Sequence, residues 1–272
     1  MSPFRASPGF TREWAHFDFD VDDGIATVTL NRPEKLNALT FDVYADLRDL
    51  IAELPHRGDA KVLVLRGTGR GFCSGGDVEE IIGELQAMKP AQLLEFTRMT
   101  GAVVRALREC PMPVIAAVNG VAAGAGSVLA LAADFRLLTS TASFAFLFTK
   151  VGLAGADMGA AYLLPRLVGL ARATELLLLG DRLDATRAEN LGLGTIVDDL
   201  PAAARSLAHR LAEGPALAYS TTKVLLTREQ DLDLASAIEL EAITQALLMK
   251  SDDHAEFLAA WRAGRPPVWT GQ

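Results

Sequence analysis

Two glycine-rich segments have the composition of turns that present backbone amides to a ligand. Residues 71–78 form the first glycine corner and residues 119–130 the second, and each is interpreted as a junction between a strand and a helix. Small residues let a backbone approach a ligand closely, and the free N–H groups at a helix start attract negative charge. Two such corners predict an oxyanion hole, which stabilises charge developing on a carbonyl oxygen. The sequence therefore favours an enzyme.

Asp157 is the acidic residue whose sequence neighbours best suit a proton carrier. Ala156 and Met158 flank it, and Leu153 lies four residues before it. Burial among apolar groups raises the pKa of a carboxylic acid from about 4 toward neutrality, where it both takes and returns a proton. The alternative is that Asp157 only caps a helix beginning at Met158.

The other ionisable residues are weaker candidates for chemistry. Asp77 is interpreted as a helix N-cap, followed by Glu79 and Glu80 in the first helical turn, and Asp134 as the end of a buried helix. The four histidines are far apart along the chain. The sequence shows no Ser–His–Asp arrangement, dinucleotide-binding glycine loop or metal-ligand spacing, so we predict no metal site.

Composition limits the classes of protein to consider. The chain has 272 residues, 50% of them hydrophobic, and a net charge of −8, which argues against nucleic-acid and anionic-membrane partners. Two widely spaced cysteines indicate a reducing, cytoplasmic location. Residues 113–133 are uncharged, but they include a proline, an asparagine and three glycines, and we interpret them as a buried strand–turn–helix rather than a membrane span.

Strand-like and helical patterns alternate through the first part of the chain. This alternation predicts an α/β fold with mainly parallel strands. Helices are predicted over residues 41–54, after Asp77, and from Pro90 to about Cys110. Strands are predicted over residues 25–30, 62–66, 114–118, 135–138 and 143–146.

From Pro201 onward the sequence contains only helical patterns. We therefore predict a core over residues 1–200 and a helical C-terminal region over residues 201–272. Two apolar stripes in this region either pack against the core or form an oligomer interface, and both alternatives are open. The helices are predicted over residues 202–212, 215–227, 232–249 and 253–263, and the stripes comprise Ala235, Ile238, Ala242, Phe257, Leu258 and Trp261.

The combination of motifs resembles the crotonase superfamily, the enoyl-CoA hydratase/isomerase family. The resemblance rests on residues 31–39, the two glycine corners extended to Asp134, and residues 180–193, in family order and spacing. It implies a spiral of ββα units with a C-terminal helical trimerisation region. It also implies homotrimers or hexamers that bind acyl-CoA thioesters, with no separate cofactor because coenzyme A is part of the substrate.

The same resemblance assigns roles to individual residues. It implies that the N–H groups of Gly76 and Ala125 form the oxyanion hole, although the family usually has glycine at the position of Ala125. Lys35 and the backbone of Ala38 would lie near the adenine and phosphates of coenzyme A. The remaining residues expected along coenzyme A are Arg32, Leu39, Ser74, Gly75, Asp77 and Val78, and those expected to line the acyl pocket are Gly124, Val128 and Phe148.

Two departures from the family pattern bear on the reaction. Val128 and Phe148 stand where family hydratases carry two glutamates, and apolar side chains neither hold nor deprotonate water. Asp157 is similar in context to the aspartate that shuttles a proton in dienoyl-CoA and epoxyphenylacetyl-CoA isomerases of the family. Three functions remain open: double-bond isomerisation by Asp157, hydration or other crotonase chemistry with water placed by Asp157, and non-catalytic binding of acyl-CoA.

Overall fold

Two β-sheets organise the chain, which the computed structural model describes over residues 9–272. One sheet has the strand order β1-β2-β3-β5-β7-β10 and the other has the order β4-β6-β8-β9. The strands are β1 (Asp18–Asp22), β2 (Ile25–Leu30), β3 (Val62–Gly67), β4 (Gly71–Cys73), β5 (Val114–Val118), β6 (Val121–Ala123), β7 (Phe135–Leu138), β8 (Ser143–Ala145), β9 (Leu183–Asp184) and β10 (Thr195–Ile196).

Helices cover the sheets and make up the C-terminal region. The predicted α/β class is confirmed, and so are the predicted strands, to within one residue at their ends. The helices are α1 (Phe41–Arg57), α2 (Gly83–Ala87), α3 (Pro90–Glu109), α4 (Ala125–Ala132), α5 (Ala160–Val168), α6 (Leu170–Leu179), α7 (Ala185–Asn190), α8 (Leu200–Ala212), α9 (Ala216–Arg228), α10 (Leu234–Leu248) and α11 (Asp252–Ala263).

The central strands of the six-stranded sheet, β3 and β5, are buried on both faces over most of their length, as parallel strands generally are. Strands β2, β3, β5, β7 and β10 pair in parallel, and β1 adds an antiparallel edge. Leu65 of β3 packs in the main core, whereas its neighbour Val64 packs with Ile115 against Leu211 of α8 on the opposite face. Side chains that alternate along β3 thus contact the main core on one face of the sheet and the C-terminal region on the other.

Helix α1 forms because a polar cap precedes an apolar stripe. The Thr40 hydroxyl accepts a hydrogen bond from the Val43 amide at 3.3 Å, which satisfies one free donor of the first turn. The apolar stripe of α1 is buried, and α1 packs against α3, where the ring of Phe96 meets Phe41 and Tyr44 edge-on. The helix predicted over residues 41–54 is confirmed and continues three residues further, to Arg57.

The segment after Asp77 differs from its prediction. The Asp77 carboxylate caps it as predicted, accepting from the Glu79 and Glu80 amides at 3.0 and 3.2 Å. The first turn, Val78–Ile82, is π-helical, so its residues do not follow the 3.6-residue period of the helix predicted after Asp77. Ile81 is consequently buried, whereas Val78 is 71% exposed.

The first glycine corner is a junction between a strand and a helix, as predicted, whereas the second is not a direct junction between β5 and α4. A short strand, β6, lies between β5 and α4, where it pairs with both β4 and β8. Residues 113–133 are therefore strand, turn, short strand and helix, all within the protein core. In residues 9–272 no helix combines the length and apolar character needed to cross a membrane.

The C-terminal helices are attached to the core mainly through α8 and α9. The ammonium group of Lys223 in α9 donates to the carbonyl oxygens of Leu107 and Met112 at 3.1 and 2.9 Å and pairs with Asp134 at 2.8 Å. Asp134 directly follows the C-cap residue of the buried helix α4, as predicted, and its carboxylate also accepts from the Val114 amide. The carboxylate thereby ties α9 to the sheet.

The apolar stripes of α10 and α11 are not buried against the core. Ile238, Phe257 and Leu258 are exposed, and Trp261 is 71% exposed. Of the two alternatives left by the sequence, packing within the same chain is therefore not observed. The division into residues 1–200 and 201–272 stays a prediction.

Candidate active site

Parallel pairing of β4 with β6 brings the two glycine corners into contact. Gly75 has φ +97°, and a Cβ atom at this residue would lie 2.9 Å from the Ala123 oxygen and 3.4 Å from the Ala125 nitrogen. Gly124, with φ +49°, would place a Cβ 3.9 Å from the Gly75 Cα. Side chains are disfavoured at both positions by this left-handed backbone, and at Gly75 also by the close contact.

The backbone amides of Gly76 and Ala125 are left without an acceptor by this arrangement. Leu39 donates to the Gly75 oxygen at 2.8 Å and accepts from the Asp77 amide at 2.9 Å, which holds the chain on both sides of Gly76. Ala125 is the first residue of α4, where an N–H group has no helical partner. Within residues 9–272 neither amide donates a hydrogen bond, so both are available to a ligand.

The start of α4 is fixed by backbone contact and by a buried serine. A Cβ atom on Gly126 would lie 2.1 Å from the Cys73 oxygen, so only glycine allows this approach. The Ser127 hydroxyl donates to the Ala122 oxygen at 2.7 Å. These contacts hold the Ala125 amide in place.

The residues at the two hydratase-glutamate positions are apolar and buried. Val128 lies inside α4 and Phe148 lies in a 3-10 helix, Leu147–Val151. Both belong to the core cluster that includes Ala125 and Met158. Neither side chain can transfer a proton.

Asp157 lies in the loop between this 3-10 helix and α5 and is partly buried. Its carboxylate accepts from the Met158 amide at 2.8 Å. Burial raises the pKa of Asp157 above its ordinary value, and the Met158 hydrogen bond opposes this effect only in part. The alternative of a helix cap is wrong, because α5 begins at Ala160 after left-handed turns at Met158 and Gly159, with no side-chain cap.

Tyr44 of α1 borders the first glycine corner and was missed by sequence reasoning. A Cβ atom on Gly76 would lie 3.8 Å from its hydroxyl oxygen. Burial, with added contributions from Cys73 and Asp157, raises the pKa of Tyr44 well above 10. The sequence signal was its spacing, since Tyr44 lies three and seven residues before the buried Leu47 and Ile51.

The turn carrying Arg32 and Lys35 is fastened to the first glycine corner by polar contacts. The guanidinium of Arg32 donates to the Ala38 oxygen at 3.0 Å, and its Nη2 atom donates to the carboxylates of Asp77 at 3.1 Å and Glu80 at 2.8 Å. The Lys35 ammonium pairs with Glu79 at 2.6 Å, which raises the pKa of Lys35. Both cations already have carboxylate partners, with which a phosphate would compete.

The remaining residues of the predicted coenzyme A set lie around the same turn. The Ser74 hydroxyl donates to the Lys35 oxygen at 3.2 Å, and the Ser74 amide donates to the Leu36 oxygen at 2.9 Å. Ala38 and Leu39 are buried beneath it. The structure thus brings the predicted anion-facing residues to one edge of the site.

Comparison with known proteins gives the same family throughout. The family profile described as enoyl-CoA hydratase/isomerase matches residues 20–272. The 1,2-epoxyphenylacetyl-CoA isomerase of Escherichia coli (strain K12) is 37% identical, covering 93% of this chain and 97% of its own. A crystal structure from Streptomyces coelicolor A3(2), provisionally described as an enoyl-CoA hydratase, is 62% identical, covers 100% of both chains and has a TM-score of 0.98.

A more distant structure shares the architecture. The enoyl-CoA hydratase from Bacillus anthracis is 28% identical and has a TM-score of 0.89, with 95% of this chain and 100% of that chain covered. The matches extend over the core and the C-terminal helices alike. The chain therefore belongs to the enoyl-CoA hydratase/isomerase family of the crotonase superfamily, and it is an enzyme of that family.

Proposed function

We propose that the protein moves a carbon–carbon double bond within an enoyl-CoA thioester, with Asp157 as the proton carrier. The observation that carries the proposal is that this carboxyl group is partly buried and has a raised pKa. Burial raises the pKa of Asp157, and its charge acts on the Tyr44 hydroxyl that borders Gly76. Val128 and Phe148 supply no second acid, so one carboxyl group serves as both base and acid.

The geometry supports a sequence of steps that conserves every atom of the substrate. The thioester oxygen accepts hydrogen bonds from the Gly76 and Ala125 amides. Asp157 removes a proton from a chain carbon, and the C–H electron pair becomes part of a dienolate whose charge rests on the thioester oxygen. Each amide stabilises this charge by about 3 kcal/mol. Asp157 then returns the proton two carbons away, and the carbonyl bond re-forms with the double bond shifted.

Coenzyme A is the part of the substrate that the turn around Lys35 would hold. We place its nucleotide and phosphates near Lys35 and the backbone of Ala38, which requires the Lys35–Glu79 pair to open. This pair is exposed, and exposed pairs contribute at most about 1 kcal/mol, so a phosphate can displace Glu79. Gly124, Val128 and Phe148 would border the acyl chain.

Self-association is part of the proposal. The exposed apolar residues of α10 and α11 lie on consecutive helices of the C-terminal region. Soluble proteins rarely expose large contiguous apolar patches, and such patches mark interaction sites. A homotrimer, or a hexamer of two trimers, would cover these residues.

Hydration is the second candidate function. It is favoured by the Streptomyces coelicolor structure, whose provisional description is enoyl-CoA hydratase and which is 62% identical. In this reaction Asp157 would hold a water molecule against the double bond, since Val128 and Phe148 cannot. The two functions differ by one water in the mass of the product.

The experiment that separates them uses the purified protein in heavy water. A 3-enoyl-CoA and a 2-enoyl-CoA are incubated separately and followed by mass spectrometry. Isomerisation predicts double-bond migration with deuterium incorporated into the acyl chain and no added water. A product heavier by one water would instead establish hydration. Absence of both reactions with both substrates would contradict the proposal.

A further inference from the structure

Tyr44 is held rigidly in α1, with its hydroxyl at the edge of the site. The residue is only 2% exposed, and its ring lies edge-on to Phe96 with the centroids 6.1 Å apart. Its backbone amide donates to the Thr40 oxygen at 3.2 Å in the first turn of the helix. The hydroxyl position is therefore set by packing and does not depend on a bound ligand.

The hydroxyl of Tyr44 has no hydrogen-bond partner in residues 9–272. It is also absent from the set of fully enclosed, unpaired polar atoms of these residues, which comprises Trp14 Nε1, Asn119 Oδ1 and Glu229 Oε1. The oxygen thus reaches accessible space at its tip. Buried tyrosine hydroxyls normally find a partner, so one that lacks a protein partner is free to bind a ligand.

The space that this hydroxyl borders lies beside Gly76. Apart from Gly76 and its two chain neighbours, the atoms within 4 Å of a Cβ position built on Gly76 are Ile81 Cδ1 at 3.6 Å and Tyr44 Oη at 3.8 Å. One apolar group and one hydroxyl therefore border a space next to an unpaired amide. A thioester whose oxygen accepts from the Gly76 amide would extend its acyl chain along this space.

The phenol remains a neutral donor under all ordinary conditions. Burial, together with Cys73 and the charge of Asp157, raises the pKa of Tyr44 well above 10. Burial likewise raises the pKa of the Cys73 thiol to about 12, so this neighbour is uncharged as well. Tyr44 can accordingly donate a hydrogen bond to an oxygen atom of a ligand, whereas a hydrocarbon chain offers it no acceptor.

We propose that Tyr44 determines substrate specificity by donating a hydrogen bond to an oxygen atom on the acyl chain close to the thioester. The preferred acyl groups would carry a hydroxyl or keto oxygen there and would not be plain hydrocarbons. The inference rests on the proposed function in one respect, which is that the thioester oxygen binds to the amides of Gly76 and Ala125. A plain chain would cover the hydroxyl without pairing it, and burying an unpaired hydroxyl costs binding energy.

The test measures binding, which does not depend on turnover. Dissociation constants of 3-hydroxybutyryl-CoA, acetoacetyl-CoA and butyryl-CoA are determined by calorimetry for the wild-type protein and for Tyr44→Phe. We expect the wild type to favour the two oxygenated ligands, and Tyr44→Phe to weaken them about tenfold while leaving butyryl-CoA unchanged or tighter. Tyr219→Phe, which removes a hydroxyl from α9 in the C-terminal region, is the matched control and should leave all three constants unchanged.

Several results would overturn the inference. One is equal affinity of the wild type for butyryl-CoA and the oxygenated ligands, a result that needs no variant and stands even if Tyr44→Phe does not fold. Another is an equal loss for all three ligands in Tyr44→Phe. A third is a changed pH profile of turnover with unchanged ligand preference, which would mean that Tyr44 acts through Asp157. Failure of isomerisation in heavy water with the ligand preference intact would count against the proposed function alone.

Discussion

Gly126 and Cys73 are in direct backbone contact: a Cβ atom on Gly126 would lie 2.1 Å from the Cys73 carbonyl oxygen. Helix α4 therefore begins against the end of β4 with no side chain between them. This contact sets the separation of the Gly76 and Ala125 amides, because Gly76 follows β4 by three residues and Ala125 precedes Gly126.

Substituting Gly126 should consequently damage both stability and activity. A methyl group in Gly126→Ala must push α4 away from β4, and we expect a loss of about 1–3 kcal/mol in the free energy of unfolding. Turnover should fall by about 100-fold as the Ala125 amide moves. Gly101→Ala, inside α3 where a Cβ meets nothing within 4 Å, is the control and should stabilise by about 0.5–1 kcal/mol. Urea unfolding and steady-state assays measure both, and wild-type stability in Gly126→Ala would disprove the close contact.

Lys223 should be a major anchor of the C-terminal helices. Its side chain is 7% exposed and holds two carbonyl oxygens together with Asp134. Lys223→Met leaves the Asp134 carboxylate without its nearest cation, and we expect a loss of about 3–5 kcal/mol in the free energy of unfolding. Lys150→Met removes a cation from an exposed pair with Asp181 and should cost at most about 1 kcal/mol. Equal effects of the two substitutions in urea unfolding would contradict the anchoring role.

The partly buried carboxyl of Asp157 should make stability depend on pH in a definite direction. Because its folded-state pKa is raised, the folded protein holds this proton more tightly than the unfolded chain. The resulting stability is complete below the unfolded pKa, about 4, and is lost as pH rises through the folded pKa. Asp157→Asn removes this loss, so at pH 7 the variant should be more stable than the wild type, by a margin that shrinks toward pH 4.

Urea unfolding at a series of pH values measures this margin. Asp181→Asn, at the exposed pair with Lys150, controls for removal of one negative charge. If Asp157→Asn is less stable than the wild type at pH 7, the folded protein stabilises the charged carboxylate of Asp157. This result would contradict the prediction.

The exposed apolar residues of α10 and α11 should be covered in solution by other copies of the chain. We expect analytical ultracentrifugation to give the mass of a trimer or a hexamer. Trp261→Arg together with Ile238→Asp places charges on the two helices and should shift the protein toward monomers. Asp157 lies outside this surface, so Asp157→Asn should leave the mass unchanged. A monomeric wild-type protein at micromolar concentration would contradict the expectation.

Much of the fold follows from local patterns in the sequence. The stripe of α1 and the strands β2, β3 and β5 are long and apolar enough to be predicted from periodicity. Strand β6 was not predicted, because three residues carry no period and are extended only through pairing with β4 and β8. The π-helical turn at Val78–Ile82 was missed for a similar reason, since its hydrogen bonds leave no mark on residue type.

The site was predictable where the backbone supplies the chemistry and less so where side chains converge. The two glycine corners stand out because glycines and alanines are concentrated in them, and the family resemblance then assigned the oxyanion-hole amides to Gly76 and Ala125. Tyr44 was missed because its position in the apolar stripe of α1 indicates only core packing, and nothing local shows that its hydroxyl borders Gly76. The alternative that Asp157 caps a helix beginning at Met158 was wrong because the left-handed Met158 delays the helix.

Proton transfer by Asp157 is tested most directly by Asp157→Asn in heavy water. The variant keeps an oxygen that can accept from the Met158 amide, but it cannot take up a proton from carbon. With a 3-enoyl-CoA we expect deuterium incorporation and double-bond migration to fall about 100- to 10,000-fold relative to the wild type, while Asp181→Asn remains at the wild-type level. Migration and incorporation at the wild-type rate in Asp157→Asn would contradict a proton carried by this residue.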